Sequence, residues 1–111
     1  MEPISWSDFE KIAMFVGTII EANDFPEAKK PAYQLLIDFG AEIGIKKSSA
    51  QITKRYTKEE LIGKQIIAVL NFSKKQIGKF SSECLVLASI NQEDIVLLTS
   101  DKKVENGLRI G

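Results

Sequence analysis

The amino-acid sequence contains no histidine, only one cysteine, and no apolar run long enough to cross a membrane. The missing histidine excludes the Ser-His and Cys-His nucleophile pairs and every histidine ligand to a metal ion. The single cysteine, Cys84, can form neither an intrachain disulfide nor a structural zinc site, which agrees with a reducing compartment. We therefore expect no metal, no cofactor and no enzymatic activity.

The length and the N-terminus limit the domain count and the location. A chain of 111 residues predicts a single domain, 1–111, with one small core. Residues 1–11 are acidic and too polar for a secretory signal. Together with the lack of a membrane-spanning run, this predicts a cytoplasmic protein that is not inserted in a membrane.

Charge is distributed unevenly along a chain whose net charge is zero. Residues 1–45 contain three basic and eight acidic residues, a net charge of −5. Residues 46–79, called the basic segment here, contain nine basic and two acidic residues, a net charge of +7. A basic segment within a neutral chain favours a local surface for a polyanion. The alternative is that folding spreads these lysines over several faces.

The stretch 71–89, NFSKKQIGKFSSECLVLAS, places basic and aromatic residues between two apolar runs. This pattern is typical of a strand, a loop and a second strand. Basic groups attract phosphate and aromatic faces stack on bases, so the loop is a candidate nucleic-acid contact. The alternative is a solvated loop between two core strands. The loop contributes three candidate phosphate-binding residues: Lys74, Lys75 and Lys79.

Capping signals predict two short helices. The first covers 4–11, with Ser5 as its N-cap and Asp8 three residues later. A helix this short is not stable alone, so its apolar residues must pack on the rest of the chain or on a partner subunit. The second begins after Thr57, which forms a capping box with Glu60.

The order of the remaining segments predicts the fold. Six of them have the pattern of short strands, and their ranges are 12–21, 33–39, 42–52, 64–70, 83–90 and 95–99. The second helix lies between the third and fourth strands. This order predicts an all-β fold with short helices, a five-stranded Greek-key barrel of the oligonucleotide-binding (OB) type. An N-terminal helix and a C-terminal extension are added to it. A β-sandwich is the alternative.

Several blocks of the sequence, in order along the chain, resemble the CsaA family. They are FPEAKKPAY at 25–33, IDFG at 37–40, EIGIKKSSAQIT at 42–53 and YTKEEL at 56–61. Shorter blocks continue the resemblance at Asn71-Phe72, 76–78 and Ser82-Glu83. The resemblance extends from residue 9 to residue 111, nearly the whole chain.

The resemblance to CsaA implies a fold and a function. The CsaA family is a stand-alone form of the tRNA-binding domain that some methionyl- and phenylalanyl-tRNA synthetases carry, and that domain is an OB-fold barrel. Family members are described as tRNA binders and as chaperone-like factors for protein export, with no known catalytic activity or metal. The resemblance also implies a homodimer built through residues 1–11 and 101–111. The dimer-interface residues would be Ile4, Trp6, Phe9, Leu108 and Ile110.

The resemblance places the RNA-contact region in the basic segment and just after it. The matching residues are Lys46, Lys47, Ser48, Ser49, Gln51, Asn71, Gln76, Gly78 and Ser82. The family's first strand usually reads Asp-Ile-Arg-Val-Gly, whereas this chain has Phe15 at the arginine position and Thr18 after the glycine. The loss of basic residues there predicts weaker phosphate affinity.

Three aromatic residues, Phe15, Phe72 and Phe80, are candidates for an apolar groove. They could stack on bases or hold apolar peptide side chains, and the alternative is core packing. Two functions are therefore open. The first is binding of tRNA or tRNA-like RNA through the basic segment. The alternative is chaperone-like binding of unfolded or export-bound preprotein polypeptides.

Overall fold

The longest strand, β1 (Met14–Asp24), organises the sheet because it has strand partners along its whole length. The computed structural model describes all residues, 1–111. The first half of β1 pairs antiparallel with β4 (Gln65–Val69), and its second half pairs with β2 (Tyr33–Asp38). β3 (Ile45–Ala50) and β7 (Leu85–Val86) complete a five-stranded sheet of order β3-β2-β1-β4-β7.

Two helices and two hairpins are attached to this sheet. Helix α1 (Trp6–Glu10) precedes β1, and α2 (Lys58–Leu61) lies between β3 and β4. One hairpin consists of β5 (Lys75–Ile77) and β6 (Phe80–Ser82). The other consists of β8 (Ala88–Asn91) and β9 (Asp94–Leu97). Neither helix is long and apolar enough to cross a membrane.

The barrel is nearly closed by contacts between β3 and the residues after β6. The amide of Glu83 donates to the carbonyl of Lys47 at 2.8 Å, and the amide of Lys47 donates back to the Glu83 carboxylate at 2.9 Å. The buried hydroxyl of Ser48 donates to the carbonyl of Cys84 at 2.8 Å. Side chains therefore provide part of the strand pairing that a fully closed barrel would obtain from backbone groups.

The predicted fold is confirmed: an all-β barrel of the OB type with short helices, one of them between the third and fourth strands. Some boundaries differ from the prediction. β1 continues to Asp24, because Asn23 and Asp24 pair with β2 instead of turning. The predicted loop after residue 71 contains the β5–β6 hairpin, and the strand predicted over 83–90 is divided into β7 and β8.

Both predicted helix caps are present. The hydroxyl of Ser5 accepts a hydrogen bond from the amide of Asp8 at 3.2 Å. The hydroxyl of Thr57 accepts from the amide of Glu60 at 3.3 Å, while the Glu60 carboxylate accepts from the amide of Thr57 at 3.0 Å. These reciprocal bonds satisfy backbone donors that a helix start leaves unpaired.

The core fills the barrel interior with side chains from every strand of the sheet and from α2. Its fully buried members include Ile19, Leu35, Ile37, Phe39, Ile52, Leu61 and Ile66. β1 approaches this core closely at Gly17, where a Cβ atom would lie 2.7 Å from side-chain atoms of Ile37 and Phe39. Only glycine allows the strand to pass there.

The C-terminal segment, residues 107–110, runs beside the start of β1. The amide of Gly107 donates to the carbonyl of Val16 at 2.8 Å, and the amide of Ile110 donates to the carbonyl of Met14 at 2.9 Å. The guanidinium of Arg109 donates to the carbonyl of Glu10 at 2.8 Å. The two ends of the chain are therefore held next to each other on the barrel.

Candidate nucleic-acid interface

A cleft of about 640 Å³ opens on one side of the barrel. The end of β3, the β7–β8 region and β9 form its walls, and the loop that begins at Phe72 forms part of its rim. Its walls are mostly apolar, with Ile52, Leu85, Leu87 and Ile95 among the residues that line it. This volume lies in the range of ordinary ligand sites.

Several of the residues predicted to contact RNA line the same cleft. They are Ser49, Gln51, Lys75 and Ser82, and Phe72 of the predicted apolar groove lies with them. The side chain of Phe72 is 59% exposed. The cleft therefore combines an apolar wall, an exposed aromatic face and a polar, basic rim.

The carboxylate of Glu83, beside the cleft, is influenced by several lysines. The Nζ of Lys74 lies 3.6 Å from the carboxylate of Glu83, whose other oxygen accepts from the amide of Lys47. The pKa of Glu83 is lowered first by that backbone hydrogen bond, and then by the charges of Lys74, Lys46 and Lys47. The charges of three lysines act on this one carboxylate, and only Lys74 forms an ion pair with it, so the surface keeps an excess of positive charge.

The other two predicted lysines belong to the β5–β6 hairpin region. Lys75 lines the cleft, and Lys79 is exposed in the turn of the hairpin. Neither forms an ion pair within the chain. Their charges are therefore not neutralised by a carboxylate of the protein.

Some predicted RNA contacts have hydrogen-bonding roles inside the protein. Ser48 is 1% exposed and its hydroxyl closes the barrel through Cys84. The Ser82 hydroxyl accepts from the amide of Ser49 at 3.4 Å. The amide group of Gln76 donates to the carbonyl of Gly78 at 2.9 Å within the hairpin turn. RNA contacts by these side chains remain predictions.

Asn71 links the end of β4 to the chain between α1 and β1. Its side-chain oxygen accepts from the amide of Ala13 at 3.1 Å, and its side-chain nitrogen donates to the carbonyl of Lys11 at 2.6 Å. Both ends of this amide group are therefore used to hold the backbone. Asn71 therefore joins the end of β4 to this segment directly before Phe72.

The structure does not bring the three predicted groove phenylalanines together. Phe15 is half-buried against the core, with the guanidinium of Arg109 5.8 Å from its ring centre. The ring of Phe80 packs on Phe25 at 5.2 Å between centres, and the Nζ of Lys47 lies 5.6 Å from its ring centre. Only Phe72 of the three lines the cleft.

The sequence interpretation did not identify two parts of the site. One is the apolar wall from β7 to β9, for which the local signals are the apolar runs 85–88 and 95–98. The other is Glu83, whose role in closing the barrel depends on a strand 36 residues earlier. No local pattern could have indicated that role.

Cys84 lies between the core and the cleft. It is buried in the core cluster, as its small apolar character predicts. Burial raises the pKa of its thiol to about 11, so the sulfur stays protonated at neutral pH. The protein contains no group of three or more Cys, Asp or Glu side chains placed to hold a metal ion.

A family model described as a putative tRNA binding domain matches residues 14–109 of the chain. The chain belongs to the tRNA-binding domain family. The match includes every strand of the barrel and all of the residues that line the cleft. It leaves out α1, which precedes residue 14.

Within the tRNA-binding domain family, solved structures of CsaA resemble this chain over nearly its whole length. The chaperone CsaA structure from Bacillus anthracis str. Ames has 46% sequence identity and a TM-score of 0.93, and the match covers 99% of this chain and 100% of that one. CsaA from Picrophilus torridus has 54% identity and a TM-score of 0.92, with 98% and 100% covered. These structures confirm the resemblance to CsaA.

Relatives in the family also include much longer proteins. The methionine–tRNA ligase of Thermococcus kodakarensis is 36% identical over 110 residues, which is 99% of this chain. The chain spans only 14% of the length of that ligase. The family and the CsaA structures point to a binding protein.

Proposed function

We propose that this chain binds tRNA or tRNA-like RNA through the cleft and the lysines beside it, as a cytoplasmic homodimer. The observation that carries the proposal is the presence of exposed lysines at the cleft of a tRNA-binding domain: Lys75 lines the cleft, and Lys74 lies beside it, 3.6 Å from Glu83. Lysine ammonium groups attract the phosphates of any nucleic acid and release the counterions that surround them. The rim of the cleft supplies further contacts to sugars and bases.

Titration of labelled tRNA with the protein, followed by fluorescence anisotropy across a salt series, tests the RNA proposal. We expect saturable binding whose logarithm of affinity falls linearly with the logarithm of salt concentration. Each phosphate contact should make the slope more negative by about 0.7–0.9. Several lysines should therefore give a slope of about −3 or steeper. No binding at low salt would contradict the proposal. The Phe15 and Thr18 departures would then be sufficient to remove the activity.

The homodimer proposal rests on the apolar surface of α1 and the C-terminal segment. Trp6 is 75% exposed in the single chain, and its ring meets Phe9 edge-on at 5.8 Å between centres. No residue of α1 is buried, and Ile4 and Leu108 are also exposed. A five-residue helix gains most of its stability from packing. Since the barrel buries no residue of α1, a second copy of the chain would provide the apolar surface on which α1 packs.

Replacing Trp6 by alanine should weaken the proposed dimer about thirtyfold, because a buried tryptophan anchor is worth ~2 kcal/mol. Sedimentation velocity over a concentration series measures the change. Ile62→Ala is the matched control, since Ile62 is 50% exposed but follows α2, at the opposite end of the β1–β4 ladder. A wild-type protein that stays monomeric, or a Trp6→Ala protein that dimerises normally, would contradict this interface.

A second candidate function, chaperone-like binding of unfolded or preprotein polypeptide, is favoured by the apolar wall of the cleft. The similar structures from B. anthracis and P. torridus are both described as chaperones. Salt distinguishes the two functions. RNA binding should weaken steeply as salt rises, whereas burial of apolar side chains persists or strengthens.

A further inference from the structure

We propose that the Glu83 carboxylate competes with RNA phosphate for the Lys74 ammonium group, so that Glu83 limits the affinity of this surface for RNA. The carboxylate occupies the place of a phosphate in the free protein, and RNA takes Lys74 from it on binding. This inference rests on the proposed RNA-binding function and identifies the residue of the chain that opposes it.

The ion pair between Lys74 and Glu83 lies at the rim of the cleft. The residues on both sides of Lys74, and those on both sides of Glu83, line the cleft. The Nζ of Lys74 lies 3.6 Å from Oε2 of Glu83. A carboxylate and a phosphate offer the same kind of anionic oxygen to an ammonium group. An RNA backbone that follows the rim would therefore bring a phosphate to the place that the carboxylate occupies.

The Glu83 carboxylate is held in place by the barrel. Its Oε1 accepts a hydrogen bond from the amide of Lys47 at 2.9 Å, and the amide of Glu83 donates to the carbonyl of Lys47 at 2.8 Å. The hydrogen bond from the Lys47 amide also lowers the pKa of Glu83, so the carboxylate is charged at neutral pH. The side chain is only 19% exposed. Because one oxygen is fixed on β3, the carboxylate stays at the rim when RNA arrives.

Lys74 is the mobile partner of the pair. Its side chain is 70% exposed, and Glu83 is its only ion-pair partner in the chain. An exposed ion pair of this kind changes an equilibrium constant by a factor of up to about five. A phosphate can therefore displace the carboxylate. The RNA affinity is lowered by that factor, because Glu83 then loses its ion-pair partner.

Replacing Glu83 by glutamine tests the competition. Glu83→Gln removes the charge and keeps a side-chain oxygen that can accept from the Lys47 amide, so the contact that closes the barrel is retained. Fluorescence anisotropy with labelled tRNA should show about threefold tighter binding at ~0.1 M salt. The salt slope should become more negative by up to about 0.7–0.9, because the full charge of Lys74 is available to phosphate. Unchanged or weaker binding by the folded variant would overturn the inference.

Glu21→Gln is the matched control for the change in net charge. Glu21 is exposed on β1, forms no ion pair and does not line the cleft. The same charge is removed, but no lysine is released, so the affinity for tRNA should change much less than in Glu83→Gln. Equal gains in the two variants would mean that net charge, and not competition for Lys74, limits the affinity.

A double-mutant cycle tests whether Glu83 acts through Lys74. Lys74→Ala is measured in the wild type and in the Glu83→Gln background, and circular dichroism with thermal melting confirms that each variant is folded. The alanine should lose about threefold more affinity in the Glu83→Gln background, since only there is Lys74 free before RNA binds. Equal losses in both backgrounds would contradict the competition.

The results separate this inference from the proposed function. If the wild type binds tRNA with a salt slope and Glu83→Gln binds it equally, the proposed function stands and the competition is wrong. If neither protein binds tRNA, both are wrong. Binding by Glu83→Gln alone would support both, with Glu83 strong enough to keep RNA from the wild type.

Discussion

Replacing Lys74, Lys75 and Lys79 together by alanine should weaken tRNA binding about a hundredfold at ~0.1 M salt. Lys75 lines the cleft and Lys79 lies in the hairpin turn, and neither has a carboxylate partner. Lys74 is 70% exposed and shares Glu83 with Lys46 and Lys47, so its ammonium group can turn to a phosphate. Removing three phosphate contacts should also reduce the magnitude of the salt slope by about 2 to 3.

A matched variant controls for the loss of net charge in this experiment. Lys64, Lys102 and Lys103 are also exposed lysines, but they do not line the cleft. Their combined replacement by alanine changes the net charge equally and should leave most of the affinity and the salt slope in place. If both triple variants weaken binding to the same extent, overall charge and not this surface determines RNA binding.

Replacing Gly107 by alanine should lower the free energy of unfolding by about 3 kcal/mol and the Tm by about 12 °C. Gly107 has a φ of +88°, a left-handed backbone conformation that is unfavourable for alanine because of its Cβ atom. Its Cβ would also lie 2.5 Å from the carbonyl oxygen of Phe39. That carbonyl belongs to the backbone after β2 and cannot rotate away as a side-chain end could. Differential scanning calorimetry measures the change.

Gly44→Ala separates the two causes of this destabilisation. Gly44 has almost the same φ, +89°, but nothing lies within 4 Å of the position its Cβ would occupy. The alanine there should cost only the backbone strain, about 1 kcal/mol and about 4 °C in Tm. Equal losses in the two variants would mean that the C-terminal segment moves away from Phe39 at little cost.

Much of the fold could be predicted from local patterns. The Ser5 cap and the Thr57 capping box depend on residues three apart, and both are present in the structure. The order of strands and the helix before β4 also agree with the prediction. Boundaries such as Asp24 could not be predicted, because pairing with β2 overrides the turn preference of Asn23 and Asp24.

The candidate site was only partly predictable. The charge of the basic segment indicated that its lysines could contact phosphate. The aromatic residue at position 72 indicated a ring that could contact a ligand, and that ring is exposed. The sequence could not separate Phe72 from Phe15 and Phe80, since neighbours along the chain do not decide which aromatic rings the fold buries. The structure separates them because Phe15 meets the core and Arg109, while Phe80 meets Phe25.

The sequence by itself determined that this chain has a small all-β fold with two capped helices, a basic middle segment and a resemblance to CsaA. Capping, strand periodicity and charge depend on neighbours along the chain, so they can be read without a structure. Only the tertiary structure decided that Ser48 closes the barrel, that Asn71 holds the backbone near Ala13, and that β3 and β7 to β9 enclose a cleft. These features join residues far apart in sequence, and such contacts leave no periodic signal in the chain.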